Sequence, residues 1–233
     1  MTVLGFDTSN YTTSVAIFDG ASGENQSRLL PVKAGALGLR QADALFAHVK
    51  SLPALTGGLF SHVDPGSVAA VGVSTRPRAV EGSYMPCFLA GVCLAQTVAA
   101  LLKVPLVEVS HQQGHLAAAF WSAGRQELFA SPFLAWHLSG GTTELLYTQP
   151  QGWNLDCSRI GGTTDISAGQ LIDRTGQLLE LPSPAGKALD RLSQEAGAVE
   201  GYRVKCPETE FSLSGVENQV QQYLARTGCR EET

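Results

Sequence analysis

Short apolar stretches broken by polar turns open the chain. VLGFDTS (residues 3–9) and TSVAIFD (residues 13–19) read as two strands joined by the polar turn Asn10-Tyr11-Thr12. GLRQADALFAHVKSL (residues 38–52) has apolar residues at helical spacing, while AAVGVST (residues 69–75) and PLVEVS (residues 105–110) are short enough and apolar enough for buried strands. A continuous apolar helix, Cys87 to Leu102, lies between those two strands. Strand, hairpin, helix, strand, helix, strand is an α/β order.

A second opening of the same kind follows at FLAWHLSGGTTELLYT (residues 133–148), a strand, a glycine turn and a strand. GWNLDCSRI (residues 152–160) continues it as a third strand. TDISAGQLIDRTGQLLE (residues 164–180), PAGKALDRLSQEAG (residues 184–197) and roughly Ser214 to Ala225 are then expected as helices. The hairpin with a polar or glycine turn thus occurs near residue 10 and again near residue 140. A two-lobed fold needs two such hairpins to hold phosphates in the cleft between its lobes.

Composition narrows the class. The 233 residues are 44% hydrophobic and 16% charged, as in a soluble globular protein, and the net charge of −5 gives no general attraction for phosphate backbones. Nucleic acid as a substrate would need a local basic patch or a partner. The five cysteines are odd in number and show no CxxC spacing, the usage of reduced cytosolic thiols. Asp7 comes too early for a signal-peptide apolar region, and the Cys87–Leu102 run contains Gln96 and Thr97 and stops at Lys103. It is too short to span a bilayer. The expected location is cytoplasmic, with no membrane.

Two motifs carry candidate chemistry. In HQQGHLAAAF (residues 111–120), helical spacing places His111 and His115 on one face, one turn apart, where they can share an ion. Gln112 stands where the zinc-peptidase HExxH signature has its glutamate base, so peptidase chemistry of that type is disfavoured. In LSGGTTEL (residues 138–145), Gly140 and Gly141 allow backbone amides to close on an anion, with Ser139, Thr142 and Thr143 as further donors. An ordinary hairpin turn is the alternative. Asp173 could bond a ribose diol rather than be a solvated helix charge, and Gly186 leaves room for a nucleotide at a helix start. The loop TRPRAVEGSYMP (residues 75–86) adds Arg76 and Arg78, whose guanidinium forks suit phosphate or carboxylate; a surface loop with solvated arginines is the alternative.

HQQGH, LSGGTTEL, DISAGQLIDRTGQLL, PAG and FSLSGVEN run in the order and spacing of the tRNA threonylcarbamoyladenosine synthase family, formerly catalogued as O-sialoglycoprotein endopeptidases or glycoproteases, and the chain resembles a divergent, C-terminally truncated paralogue. The resemblance implies an α/β, two-lobed actin/sugar-kinase/Hsp70-like (ribonuclease H-like) fold with an incomplete second lobe. The first lobe would span residues 1–108. The second, residues 109–233, would carry the metal-binding helix, the phosphate-binding hairpin and a helical insertion.

The resemblance further implies one divalent metal, iron or zinc, on His111 and His115, and His137 is added as a third ligand. Ser139, Gly140, Gly141, Thr142, Asp173 and Gly186 would hold an adenylate or ATP-type nucleotide, whereas the loop carrying Arg76 and Arg78, the candidate anion contacts, stands where the family has a GPG loop. The implied activity is acyl (carbamoyl) transfer to the adenosine next to the tRNA anticodon. Implied partners are a related actin-like protein, bound as a homo- or heterodimer through the first lobe, and tRNA only with partners. The chain departs from the family where its Asp-Glu pair is replaced by Tyr11 and Thr12, and where its SGGH histidine is Thr142. Those departures keep a non-catalytic scaffold paralogue as the alternative. A small-molecule kinase follows from fold analogy alone.

Overall fold

The computed structural model describes residues 1–31, 39–197 and 201–228. Gly38, the first residue of the expected helix over 38–52, and Cys229 lie outside them; Cys87, Cys93, Cys157 and Cys206 are free thiols. Contacts divide the chain into two compact units, Met1–Glu127 with Gly152–Asn154 and Leu128–Gln151 with Leu155–Thr233.

In the first unit, β1 (Thr2–Asp7), β2 (Thr12–Phe18) and β3 (Gly23–Leu29) form an antiparallel meander, and β4 (Val68–Arg76) and β5 (Leu106–Ser110) extend it in parallel. The order is β3-β2-β1-β4-β5. Three antiparallel strands followed by two parallel crossovers is the arrangement of a ribonuclease H-like, actin-like lobe, so the expected α/β fold stands. The crossovers run through α1 (Gln41–Leu59), which packs on β2 and β3, and α2 (Phe88–Leu102), which packs on β4 and β1. The core between them joins Leu4, Phe6 and Val15 to Leu52, Leu55, Val71, Val73 and Ala95.

Parallel pairing has a consequence for function. The carboxyl ends of β1, β4 and β5 emerge on one edge of the sheet, where α/β proteins bind ligands. Asp7, Arg76 and Ser110 are the three end residues. A further helix, α3 (His111–Ser122), leaves that edge directly and packs on β4 and β5. It therefore belongs with the first unit, whereas the sequence places it just beyond a boundary at residue 108.

The second unit holds the sheet β6 (Phe133–Leu138), β7 (Thr143–Gln151), β8 (Asn154–Thr163) and β9 (Glu210–Phe211), in that order. Its helices are α4 (Ala168–Leu178), α5 (Gly186–Glu195) and α6 (Ser214–Thr227), with α4 packed on both others. Among the described residues no helix is long and apolar enough to cross a membrane.

Candidate functional site

Ser110 decides where α3 begins. Its hydroxyl accepts from the Gln113 backbone N–H (3.2 Å) and its own N–H donates to Gln113 Oε1 (2.7 Å), a capping box that fixes His111 as the first helical residue. His115 follows one turn later. The two rings meet edge to face with centroids 4.3 Å apart, and their Nε2 atoms are 2.9 Å apart. His111 Nδ1 lies 2.8 Å from Asp7 Oδ2, and Ser9 Oγ is 3.4 Å from His111 Nε2.

Asp7 is held in turn by the Ser9 backbone N–H, which donates to its Oδ1 at 2.8 Å. Burial pushes this carboxyl up, but hydrogen bonds from His111, Ser74 and Ser9 and the His111 charge outweigh it and lower it to about 2. Asp7 is therefore a carboxylate at neutral pH. With one proton on His111 Nδ1 and directed at Asp7, the Nε2 lone pair is left facing His115. It accepts an N–H from His115 or, when His115 carries its proton on Nδ1, both lone pairs converge on one point.

The convergence fits a metal. Two imidazole nitrogens at about 2.0–2.1 Å from one ion stand roughly 3 Å apart, close to the separation found here. Among the described residues no group of three or more His, Cys, Asp and Glu side chains is arranged to hold an ion; the histidine pair by itself supplies two nitrogen donors. His137 lies in the second unit on β6, paired in register with Glu144, its Nδ1 3.9 Å from Glu144 Oε2. Gln112 is buried, and its backbone N–H donates to the Pro77 carbonyl (3.1 Å). That bond ties the first turn of α3 to the arginine loop. Arg76 pairs in register with Ser110, and the Arg78 backbone N–H donates to Ser83 Oγ. Arg76 thus ends the strand next to the start of α3, and Arg78 sits in the loop that follows it.

The glycine turn of the second unit is tightly built. The Ser139 N–H donates to the Thr142 carbonyl (2.8 Å), and Ser139 Oγ accepts from the N–H groups of Gly141 and Thr142. These two amides already converge on one oxygen, as a phosphate oxygen would require. The start of α4 braces the turn: Ser167 Oγ donates to the Gly140 carbonyl (2.8 Å), and the Ala168 N–H donates to Thr143 Oγ1 (2.7 Å). Gly140 and Gly141 are exposed, with nothing within 4 Å of a Cβ built on either. Asp173 is committed on one side, its Oδ1 accepting from the Ala185 N–H (2.9 Å) just before Gly186 opens α5. Beside it is an open depression of about 460 Å³ lined by Asp173, Arg174, Gln177, Glu180, Leu181 and Ser183.

Sequence reasoning passed over Asp7 and Asp165. Asp165 accepts from the backbone N–H groups of Ile166, Leu213 and Ser214 and from the hydroxyls of Ser212 and Ser214. It fastens the DISAG segment to the FSLSG segment. The signal was available, since an Asp-Ile-Ser start facing a Ser-Leu-Ser start offers one acceptor to several unpaired donors.

Residues 42–230 match the family model described as TsaD, tRNA N6-adenosine threonylcarbamoyltransferase. A protein of that name from Anaeromyxobacter sp. (strain Fw109-5) is 34% identical over 174 residues, covering 72% of this chain and 49% of its own length. Its namesake from Carboxydothermus hydrogenoformans is 31% identical over 177 residues, covering 75% of this chain and 50% of its own. The chain spans about half the length of the curated relatives it matches. A solved structure of YeaZ from Pseudomonas aeruginosa aligns over 67% of this chain and 64% of its own at 18% identity, with a TM-score of 0.44.

Proposed function

The chain belongs to the tRNA N6-adenosine threonylcarbamoyltransferase family, and on that premise we propose that it is a metal- and nucleotide-binding protein of tRNA threonylcarbamoyl modification. The observation that carries the reading is the 2.9 Å approach of the two Nε2 atoms of His111 and His115. The ion is offered as iron or zinc. A divalent ion held there supplies Lewis-acid polarisation of a carbonyl oxygen.

The protein's own groups do the rest. Gly140, Gly141, Ser139 and Thr142 receive phosphate oxygens of an adenylate when a phosphate oxygen takes the place that Ser139 Oγ now holds on the Gly141 and Thr142 amides. Asp173, with one oxygen occupied by Ala185, offers the other to a ribose hydroxyl, and Gly186 leaves room for the base at the start of α5. Arg76 and Arg78 offer a second anion contact on the histidine side. The attacking group in such a transfer is the adenine amine of the acceptor, so no side-chain nucleophile is needed.

A second reading, a non-catalytic scaffold, is favoured by one observation. Tyr11 of the hairpin turn and Thr12 at the start of β2 are not carboxylates, and the Tyr11 carbonyl accepts from the Leu30 N–H in an ordinary strand contact. A partner of related fold, met through the first unit, is supported by Phe46 and Val49 on α1 and Leu89 and Leu101 on α2, all exposed. We place the protein in the cytoplasm on its reduced thiols.

Metal content of the purified protein, titration with adenylate, and transfer to tRNA with partner proteins present separate the readings. Metal binding abolished by His115→Ala, together with threonylcarbamoyl product, is the expected result. A metal-free protein that yields no product selects the scaffold reading and overturns the metal proposal, and metal binding without product overturns the transfer activity.

A further inference from the structure

We propose that Asp7 is a positioning residue for the histidine pair, a carboxylate that sets the tautomer and rotation of His111 so that Nε2 is presented for metal binding. The inference rests on the metal reading of His111 and His115. A neutral imidazole has one N–H, and which nitrogen carries it is set by the partner of the other. Here Asp7 Oδ2 at 2.8 Å claims Nδ1–H and leaves Nε2 as the lone pair.

Alternatives to that state lie close by. Ser9 Oγ is 3.4 Å and His115 Nε2 2.9 Å from His111 Nε2, and both can take an N–H from it. Without the carboxylate, either would draw the proton to the nitrogen that must be free. Asp7 is well placed to prevent this because it is itself aligned by the Ser9 N–H and by Ser74 of β4. Its side chain is 27% exposed, so water competes only partly for the bond. A carboxylate on the far nitrogen also raises the basicity of the ligating one. The contact spans 104 positions of sequence, joining the end of β1 to the start of α3.

The test compares the wild-type chain with Asp7→Asn, Asp7→Glu and Ser74→Ala. Zinc and cobalt affinities are measured by competition titration, and ¹⁵N spectra of the imidazoles are recorded on metal-free protein at pH 8. Asp7→Asn is expected to lower metal affinity roughly 10–100-fold and to move the His111 proton from Nδ1 toward Nε2. Asp7→Glu should restore most of both, and Ser74→Ala should show a smaller loss in the same direction. If Asp7→Asn does not fold, the Ser74→Ala and Asp7→Glu series decides.

Metal affinity unchanged across these variants overturns the inference while leaving the histidine pair as a metal site. A His111 that already carries its proton on Nε2 in the wild type overturns it as well. A wild-type chain that binds no metal overturns the site and the inference together.

Discussion

Gly169, one residue into α4, lies against the glycine turn so closely that a Cβ there would be 2.5 Å from the Gly140 Cα and 2.6 Å from the Ser139 carbonyl oxygen. Both are backbone atoms and cannot rotate away. Gly169→Ala should therefore push α4 off the turn and cost about 1–3 kcal/mol, measured by urea denaturation. Gly140→Ala and Gly141→Ala meet nothing and should change stability by less than about 0.5 kcal/mol, and on the proposed nucleotide reading they should lower adenylate affinity. The contrast separates the brace from the proposed binding surface.

Asp165 lets acid act on the second unit. Burial works against its charge, but the donors of Ser212, Ser214 and Leu213 prevail and hold the carboxyl well below the usual carboxylate range. A depressed native value means the stabilisation is complete above about pH 4, the unfolded value, and is lost as pH falls toward the native one. Asp165→Asn should flatten that acid limb, and at pH 7 it should cost on the order of 1 kcal/mol, as for a lost helix cap. Thermal denaturation between pH 2 and 7 checks both.

His48 predicts a second pH limb at a higher range. It is fully buried, with Nδ1 2.8 Å from Thr13 Oγ1, and burial lowers its pKa against the opposing pull of the Asn10 carbonyl and the Asp7 charge. Burial thus favours the neutral ring in the native state. Its contribution is complete above about pH 6.5 and declines as pH falls below that value, because the unfolded chain binds the proton more readily. His48→Asn, which keeps a partner for Thr13 and does not titrate, should remove the decline in denaturation free energies between pH 6.5 and 5.

Thr8 fastens α2 to β1. Its fully buried hydroxyl donates to the Cys87 carbonyl (3.0 Å) and accepts from the Gly91 N–H (3.1 Å). Thr8→Val keeps the shape and strands both backbone groups, at a cost of about 1–3 kcal/mol. Chemical denaturation with a matched near-ultraviolet spectrum would show the loss without a change of fold.

Much of this architecture is legible in apolar spacing. The hairpin of β1 and β2, the apolar helix α2 and the short strands β4 and β5 all follow it, because each buries the residues whose period announces it. β3 does not. GENQSRL has no apolar rhythm and is mostly exposed, and it is held as an edge strand by backbone pairing with β2. The two residues of β9 are invisible for the same reason. The expected helix over residues 164–180 starts late, at Ala168, because Ser167 caps it and Asp165 is engaged with α6. At the site, helical spacing alone gave His111 and His115. The partner of His111 was hidden, since strand pairing across the sheet, rather than nearby sequence, brings Asp7 to it.

The parallel register of β1 on β4 thereby becomes something that can be assayed. Phe6 stands opposite Val73, which sets Asp7 beside Ser74 and beneath the first residue of α3. A slip of β1 by one residue would turn Asp7 to the opposite face and leave His111 with no carboxylate on Nδ1. On the proposed metal reading, metal affinity then reports whether that strand is in step, a local readout that spectroscopic averages over the whole chain would miss.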